Sequence, residues 1–444
     1  MWVTINKVSS LNDVILLPEA AVEKIYKRMY ICFGQRRVAA NVNLSKEDGD
    51  KRGESIDNPL NIKISGDILA RLMISSNLVY RLKISGNSII IGPVIGFLIG
   101  NRNYAYSPYH MEKYSDRFGI YNECGGLIYA FSPRSIDWEN KIIYGLYYDY
   151  KREEWLYGRF PFPSVIYRRD FHTNPETIKK LIQVTHGKLF NSWRFSKYYL
   201  YSYIKQDAKL VSSLPPTTLI KDYDTIKKFI DKYGDVILKP VNLSRGRGIC
   251  VIKREKDNYR FIDYRKSQAS DEILSENEME KLFKSDSFLP NRYIVQKLLP
   301  LAKINGSVFD IRIVMQKDRK MQWFESGIEC RVAKSDSFLT NISRGGYALS
   351  LDEALDKAFN CSSDREDIKK KIHDLCIDTC VRLDKTGHHF AELGIDIAID
   401  ENKKLYIIEV NVFPSFKGFK MMNRDTYLSI RYTPILYASY LAGF

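Results

Sequence analysis

At 444 residues the chain is too long for one ordinary core, and two or three domains are expected. Its 45% hydrophobic and 27% charged content, with 30 Tyr and 22 Phe, excludes a disordered chain, and no apolar run is long enough to span a membrane. The net charge of +15 calls for an anionic partner (a nucleotide, an acidic peptide, nucleic acid or an anionic surface) and does not choose among them.

Residues 1–90 predict a β-rich module with a weak internal repeat. Residues 14–25 resemble residues 61–72: in each a short strand meets a helix-start residue, Pro18 or Ser65, and a short helix follows. More strand-like sequence follows each copy, and the charged, Gly-containing residues 45–58 between them predict a loop. Two such copies are expected to close into a small pseudo-symmetric barrel. Residues 91–186 change texture. Buried-strand runs at 94–99, 127–131 and 164–167, with a helix over 109–118, predict an α/β layer. Gly92, Gly96 and Gly100 have the wrong spacing for a dinucleotide fingerprint, and no helix start follows them.

From Lys188 onward, segments suited to phosphate chemistry accumulate. Residues 193–204 predict a helix carrying Lys197. A strand over 236–240 ends in Lys239 and runs into a loop with Ser244, Gly246 and Gly248, followed by a return strand. Such a loop can wrap backbone N–H groups around phosphates, although no Walker A sequence is present. Residues 293–299 are a further apolar strand with Gln296 inside it. Residues 309–314 alternate, so that Asp310 and Arg312 share a face, and Glu329 and Arg331 come next. A turn holding Asn341, Gly345 and Gly346 then precedes two packing helices within 351–386.

The most informative stretch is 394–415, which predicts a β-hairpin. Ile395, Ile397 and Ile399 alternate with Asp396 and Ala398, a polar turn follows, and 405–410 forms the second apolar run. Asp396, Glu409 and Asn411 interrupt the apolar pattern. Buried carboxylates are costly unless paired or coordinated, and three hard oxygen donors on adjacent strands suit Mg²⁺. The seven scattered Cys predict free thiols, and the six His show neither triad nor metal spacing.

The sequence around Gly394, Ile395, Asp396 and Ile397, followed by Ile408, Glu409, Val410, Asn411 and Pro414, resembles the metal-binding hairpin of the ATP-grasp superfamily. As a whole the chain resembles its YheC/YheD-type members, the endospore coat-associated proteins. The resemblance implies a mixed α+β and α/β chain. An ATP-grasp domain of two α+β lobes spans 187–444, preceded by an α/β pre-ATP-grasp domain over 91–186 and the small module of 1–90. It implies ATP and Mg²⁺ as cofactors. Lys197, Lys239 and the loop at Ser244, Gly246 and Gly248 would meet phosphates. Gln296 and the backbone at Lys297 and Leu299 would meet adenine. Arg312 and Arg331 would face the γ-phosphate and an acyl phosphate, the Asn341 loop would border the substrate, and Asp396, Glu409 and Asn411 would hold metal.

The chain departs from the pattern at Gln296, where many relatives carry an acid, and at Lys303, near the usual acidic ribose contact. The implied activity is an ATP-dependent carboxylate–amine ligase acting on an amino acid or peptide, with the positive charge favouring an acidic one. A second reading is an ATP-binding spore protein that does not turn over. Nucleic-acid binding rests on charge alone, since no RRM, KH, helix-turn-helix or zinc signature is present. The start of the chain lacks the apolar core of a signal peptide, so a cytosolic protein with a spore association is expected.

Overall fold

The computed structural model describes residues 1–19, 26–45, 53–100, 106–243, 246–265, 269–284, 290–334, 345–359 and 364–444. Four sheets organise them. In the first, seven strands close a barrel: Trp2–Val8, Leu60–Ser65, Val14–Pro18, Arg36–Ser45, Arg28–Phe33, Ser88–Gly92 and Tyr80–Ser85, the last returning to Trp2–Val8. Alternation explains the closure: Val3, Ile5, Ile31, Phe33, Ile62, Ile64, Ile89 and Ile91 all point inward and are buried. Ring closure also removes the exposed edges that so short a sheet would otherwise present. The helix Gly66–Leu72 follows Ser65. Its counterpart expected after Pro18 falls almost wholly outside the described residues.

The second sheet is built on three runs buried on both faces. Val94–Leu98 lies parallel to Leu127–Phe131 on one side and to Val165–Arg168 on the other. Continuous apolar runs of this kind belong in the centre of a parallel sheet covered on both sides. A hairpin, Ile142–Asp149 and Glu154–Pro161, widens one edge, and Leu189–Phe190 joins the other. The helix expected over 109–118 is broken instead. Ser107 caps a short turn, Pro108–Met111, and the chain tightens into a 3₁₀ segment, Glu112–Arg117. Parallel strands end at one edge, so Arg168, Arg169 and Asp170 all emerge there.

The other two sheets form two lobes. In the first lobe six antiparallel strands run in the order Thr217–Leu219, Tyr293–Lys297, Val236–Pro240, Cys250–Glu255, Asn258–Asp263 and Ser270–Leu274. Helices Tyr223–Tyr233 and Glu276–Lys284 bury Ile226, Ile230, Met279 and Phe283 against them. In the second lobe the order is Tyr347–Leu349, Trp323–Val332, Ser307–Lys317, Glu392–Ile399 and Leu405–Asn411. The helix Arg365–Asp384 backs this sheet through Ile368, Ile372, Cys376, Cys380 and Leu383. The six cysteines among the described residues are free.

One buried cluster joins the second sheet to the second lobe. Glu392 opens its strand and is fully buried. It pairs with Arg169, accepts from the Tyr167 hydroxyl at 3.2 Å and from the Gln316 amide at 3.0 Å. The Asn191 side-chain oxygen accepts from the Ala391 and Glu392 N–H groups at 3.1 and 3.2 Å. The final helix, Arg424–Leu441, packs along the same seam, with Ile435, Tyr437 and Ala438 among the aromatic rings of the second sheet. Removing one member of a buried ion pair leaves the other uncompensated. Glu392→Ala is therefore expected to cost about 3–5 kcal/mol and to lower the urea midpoint markedly, with Glu392→Gln milder because it keeps hydrogen bonds to Tyr167 and Arg169.

Candidate active site

A cleft of about 760 Å³ opens between the two lobes and is bounded at its far end by the second sheet and the C-terminal helices. Its central wall is the second-lobe sheet. There, antiparallel register places charged residues directly beside one another in a row that crosses the strands. Glu329 lies opposite Arg312, Arg312 opposite Asp396, and Asp396 opposite Glu409. In the neighbouring row Asp310 lies opposite Arg331. Period-2 alternation puts all six side chains on one face, while Ile311, Ile313, Ile395 and Ile397 fill the core behind. A bulge follows Asp396, a local irregularity that re-aims side chains.

The row is internally neutralised. Arg312 grips both carboxylate oxygens of Asp396, its Nη2 at 2.8 Å. Arg331 forks onto Asp310 at 2.7 and 2.6 Å and reaches Asp396 at 3.1 Å. Burial works to raise the Asp396 carboxyl, but the two guanidinium groups outweigh it and hold it below the usual range. Glu329 is less well served. Burial pushes it up to about 7 despite Arg312 and Arg331, and its Oε2 has no hydrogen-bond partner among the described residues.

Glu409 faces Lys197 at 3.2 Å, and the Asn411 amide lies 3.5 Å from Asp396. Two carboxylates side by side on one hairpin, with an amide next to them, demand positive charge. The structure supplies it through Arg312, Arg331 and Lys197, and hard oxygen donors in this arrangement fit Mg²⁺. Among the described residues no three Asp, Glu, His or Cys side chains converge, so a third donor beside Asp396 and Glu409 would have to be of another kind, and the Asn411 amide is the neighbour at hand.

The first lobe supplies the other wall. Lys239 leaves its strand beneath Lys197, and its Nζ donates to Gln296 Oε1 at 2.6 Å. Burial pulls this ammonium down to about 8, with Lys197 adding to the effect and Glu409 and Asp396 opposing it. The Gln296 amide nitrogen in turn donates to Thr217 at 2.8 Å, so the side chain is committed to aiming Lys239. The Lys297 N–H is taken by the Pro216 carbonyl, whereas the Leu299 N–H has no backbone partner among the described residues. Gly246 lines the cleft with φ +64°; Gly248 does not line it. A Cβ on Gly248 would lie 2.6 Å from Pro240, so this glycine lets the return strand close on the first. Lys197 begins its helix, Lys197–Ile204, four residues later than the pattern predicts, because Ser196 caps it by accepting from the Tyr199 N–H. Ser244 and Asn341 lie outside the described residues.

The structure thus brings Lys197, Lys239, Gly246, Gln296, Lys297, Leu299, Arg312, Arg331, Asp396, Glu409 and Asn411 to one cleft. Sequence reasoning missed the residues that reach it from the second sheet and the C-terminal helices, chiefly Arg117, Arg169, Phe416 and Arg431. The available signal was Arg168 and Arg169 at the end of a buried parallel strand, an edge where ligands commonly bind.

The YheC/D like ATP-grasp family model matches residues 186–441. The chain belongs to this family. The endospore coat-associated protein YheD of Bacillus subtilis (strain 168) is 26% identical over 382 residues, covering 81% of each chain. The coenzyme γ-F420-2:α-L-glutamate ligase of Methanococcus maripaludis is 27% identical over 215 residues, 48% of this chain and 57% of that one. The solved ATP-grasp ligase PsnB, in complex with precursor peptide PsnA2 and AMPPNP, overlays with a TM-score of 0.43 at 14% identity, covering 76% of this chain and 98% of that one. Membership of the family fixes the fold of the two lobes as ATP-grasp.

A lysine held down to about 8 is charged below that pH and loses its charge above it. Bound phosphates favour the charged form and raise the value in the complex. The ATP dissociation constant is therefore expected to rise about tenfold between pH 7 and 9. Lys239→Arg, which does not titrate there, should flatten the profile in an equilibrium titration, and an equally steep rise in that variant would remove Lys239 as the cause.

Proposed function

We propose that the protein is an ATP-dependent carboxylate–amine ligase acting on an amino acid or peptide. The observation that carries this reading is the charged row at the centre of the cleft, where two buried guanidinium groups meet a hard-oxygen hairpin. In-line phosphoryl transfer develops charge on equatorial oxygens and asks the protein for positioning and electrostatics, not for a nucleophile. The γ-phosphoryl group would pass to a substrate carboxylate, releasing ADP, and an amine would then displace phosphate from the acyl phosphate to leave an amide. Arg312 and Arg331 would orient the transferring group and the acyl phosphate through their planar forks. Lys239 and Lys197 would hold ATP phosphates, and the open Leu299 N–H would hold adenine. Asp396, Glu409 and Asn411 would hold Mg²⁺, which supplies charge neutralisation at the phosphates.

The name of the glutamate ligase relative, with its shared half of the chain, supports amide-forming chemistry. Among the described residues no helix is long and apolar enough to cross a membrane. The YheD relative's name supports a spore association. One observation favours a second reading, an ATP-binding spore protein without turnover: both oxygens of Asp396 are already engaged by Arg312.

The two readings separate in a screen of acid and amine pairs for ADP release, with hydroxylamine as a trap. The ligase is expected to release ADP only with a suitable acid and to yield a hydroxamate when hydroxylamine replaces the amine. A stable phosphorylated product without amide or hydroxamate would overturn the ligase, and ATP binding without any acid-stimulated release would favour the second reading. Glu409→Gln should lower kcat by about a hundredfold or more while ATP still binds, because its charge matters most as the phosphoryl group moves. Wild-type turnover in that variant would rule out Glu409 as a metal ligand.

A further inference from the structure

The cleft continues past the charged row into a pocket that the nucleotide and metal assignments leave unused. It is reached through Pro414, which packs on Gly394 (a Cβ there would lie 2.6 Å from the proline) and whose carbonyl accepts from Arg169 at 2.7 Å. The walls come from three places: the 3₁₀ segment Glu112–Arg117, the residues after strand Val165–Arg168, and the helices Lys417–Met422 and Arg424–Leu441. Six cations line it: Lys113, Arg117, Arg169, Lys417, Lys420 and Arg431. The carboxylates that line the cleft among the described residues are Asp310, Asp396 and Glu409, all on the second-lobe sheet, so this end has none.

Two of the six cations are spoken for. Arg169 is paired with the buried Glu392, and Arg431 with Asp116. Lys113, Lys417 and Lys420 are exposed and solvated, and by themselves would say little. Arg117 is different. It is 2% exposed, yet has no carboxylate within ion-pair distance among the described residues. Its Nη1 donates to the Tyr167 hydroxyl at 3.2 Å, its Nε is buried without a partner, and its guanidinium lies 5.8 Å from the Phe416 ring. Burial, with the neighbouring Arg169 and Arg431, pulls it down to about 10 against the opposing pull of Tyr167 and Glu392. Arg117 and Arg169 against Glu392 leave one uncompensated positive charge inside the protein. Such a charge is expensive to keep without an anion, and an arginine fork matches the geometry of a carboxylate. Tyr114, Phe171, Phe416 and Tyr427 give the same pocket an aromatic rim.

We propose that this pocket binds a second, non-reacting carboxylate of the substrate, with Arg117 as its anchor, so that the substrate is an acidic amino acid or a peptide bearing Glu or Asp. The inference rests on the ligase reading for which group reacts, but the anion site itself is measurable without turnover. The reacting carboxylate lies at Arg312 and Arg331. The second one is held past Pro414, and the exposed lysines at the mouth draw it in.

The test is a calorimetric titration of protein saturated with Mg²⁺ and a non-hydrolysable ATP analogue. The probes are L-glutamyl-L-glutamate, the neutral L-glutaminyl-L-glutamine, which keeps one carboxylate for Arg312 and Arg331, and O-phospho-L-serine. Wild type should prefer the acidic to the neutral dipeptide by about thirtyfold or more, the size expected of a buried charge pair. Arg117→Met, which keeps the packing against Phe416, should abolish that preference and leave analogue affinity unchanged. Should that variant lose its near-UV circular dichroism, Lys417→Ala with Lys420→Ala, both exposed, should still weaken the acidic dipeptide by about fivefold. Equal affinity for the two dipeptides, no binding of the acidic one, an undiminished preference in either set of variants, or much tighter binding of phosphoserine would each overturn the carboxylate site. Acidic-dipeptide binding that depends on Arg117 but never stimulates ADP release would instead uphold the site and remove the ligase reading.

Discussion

The geometry of the cleft depends on a fully buried carboxylate, Glu392, and the groups gathered around it. Arg169 and Tyr167 come from the second sheet, Gln316 from the second lobe, and Asn191 from the connection between them. A buried ion pair is no guarantee of stability, because its desolvation cost rivals its attraction; its value here lies in position. Glu392 and Asp396 stand on one strand four residues apart, so on the same face. Fixing the first to the second sheet fixes where the second points. Arg169 extends the constraint by binding both Glu392 and the Pro414 carbonyl, which ties down the segment after the hairpin as well. The far wall and the central wall of the cleft are therefore tied together, whereas the first lobe contributes no member of this cluster among the described residues.

That division matches where the polar bonding is dense. Across the second-lobe sheet, charge alternates from Glu329 to Arg312 to Asp396, with Asp310 and Arg331 alongside. Arg331 is shared between Asp310 and Asp396, whereas Arg312 has Asp396 alone among the described residues, so removing Asp396 would strand a cation. The like-charged neighbours Asp396 and Glu409 are compatible only while positive charge surrounds them, from Arg312, Arg331 and Lys197 here. A divalent cation would satisfy the same two carboxylates and free the arginine forks to face phosphate oxygens. The protein's own cations and a metal would thus compete for one set of oxygens. A site built this way is preorganised without ligand at the expense of partial self-occupation.

Much of this was legible in the sequence, for local reasons. The hairpin around Asp396 and Glu409 was readable because a period-2 pattern seldom tolerates carboxylates at core positions unless something binds them. The ATP-grasp fold was implied by the resemblance of that hairpin, and of Lys239 before a Gly-containing loop, to the superfamily. What was hidden depends on long-range pairing. Gln296 bonds Thr217, 79 residues away, and only that bond shows its amide aiming Lys239. Arg117 sits in a 3₁₀ turn where the sequence predicts a helix, and it is buried among the rings of Phe97, Tyr167 and Phe416, the last some three hundred residues later. The helix start at Lys197 is hard to place from the sequence because Ser192 and Ser196 are both cap-type residues, and the structure uses Ser196.

The same long-range pairing explains the charge asymmetry of the cleft. A net charge of +15 spread along the chain is uninformative until the fold sorts it. Here every acid lining the cleft among the described residues lies on the second-lobe sheet, where strand register pairs it with a neighbour. The cations of the far end reach the cleft from separate elements: a turn, a strand end and two helices. Acids fixed by register cannot follow a ligand, whereas lysines on helix ends can. The central wall is accordingly suited to holding one reacting geometry, and the far end to receiving an anion whose exact position varies. Arg117 is the exception among those cations. Enclosed by Tyr167, Phe97 and Phe416 rings, it has little freedom to move, so it sets the point to which the mobile lysines deliver their ligand.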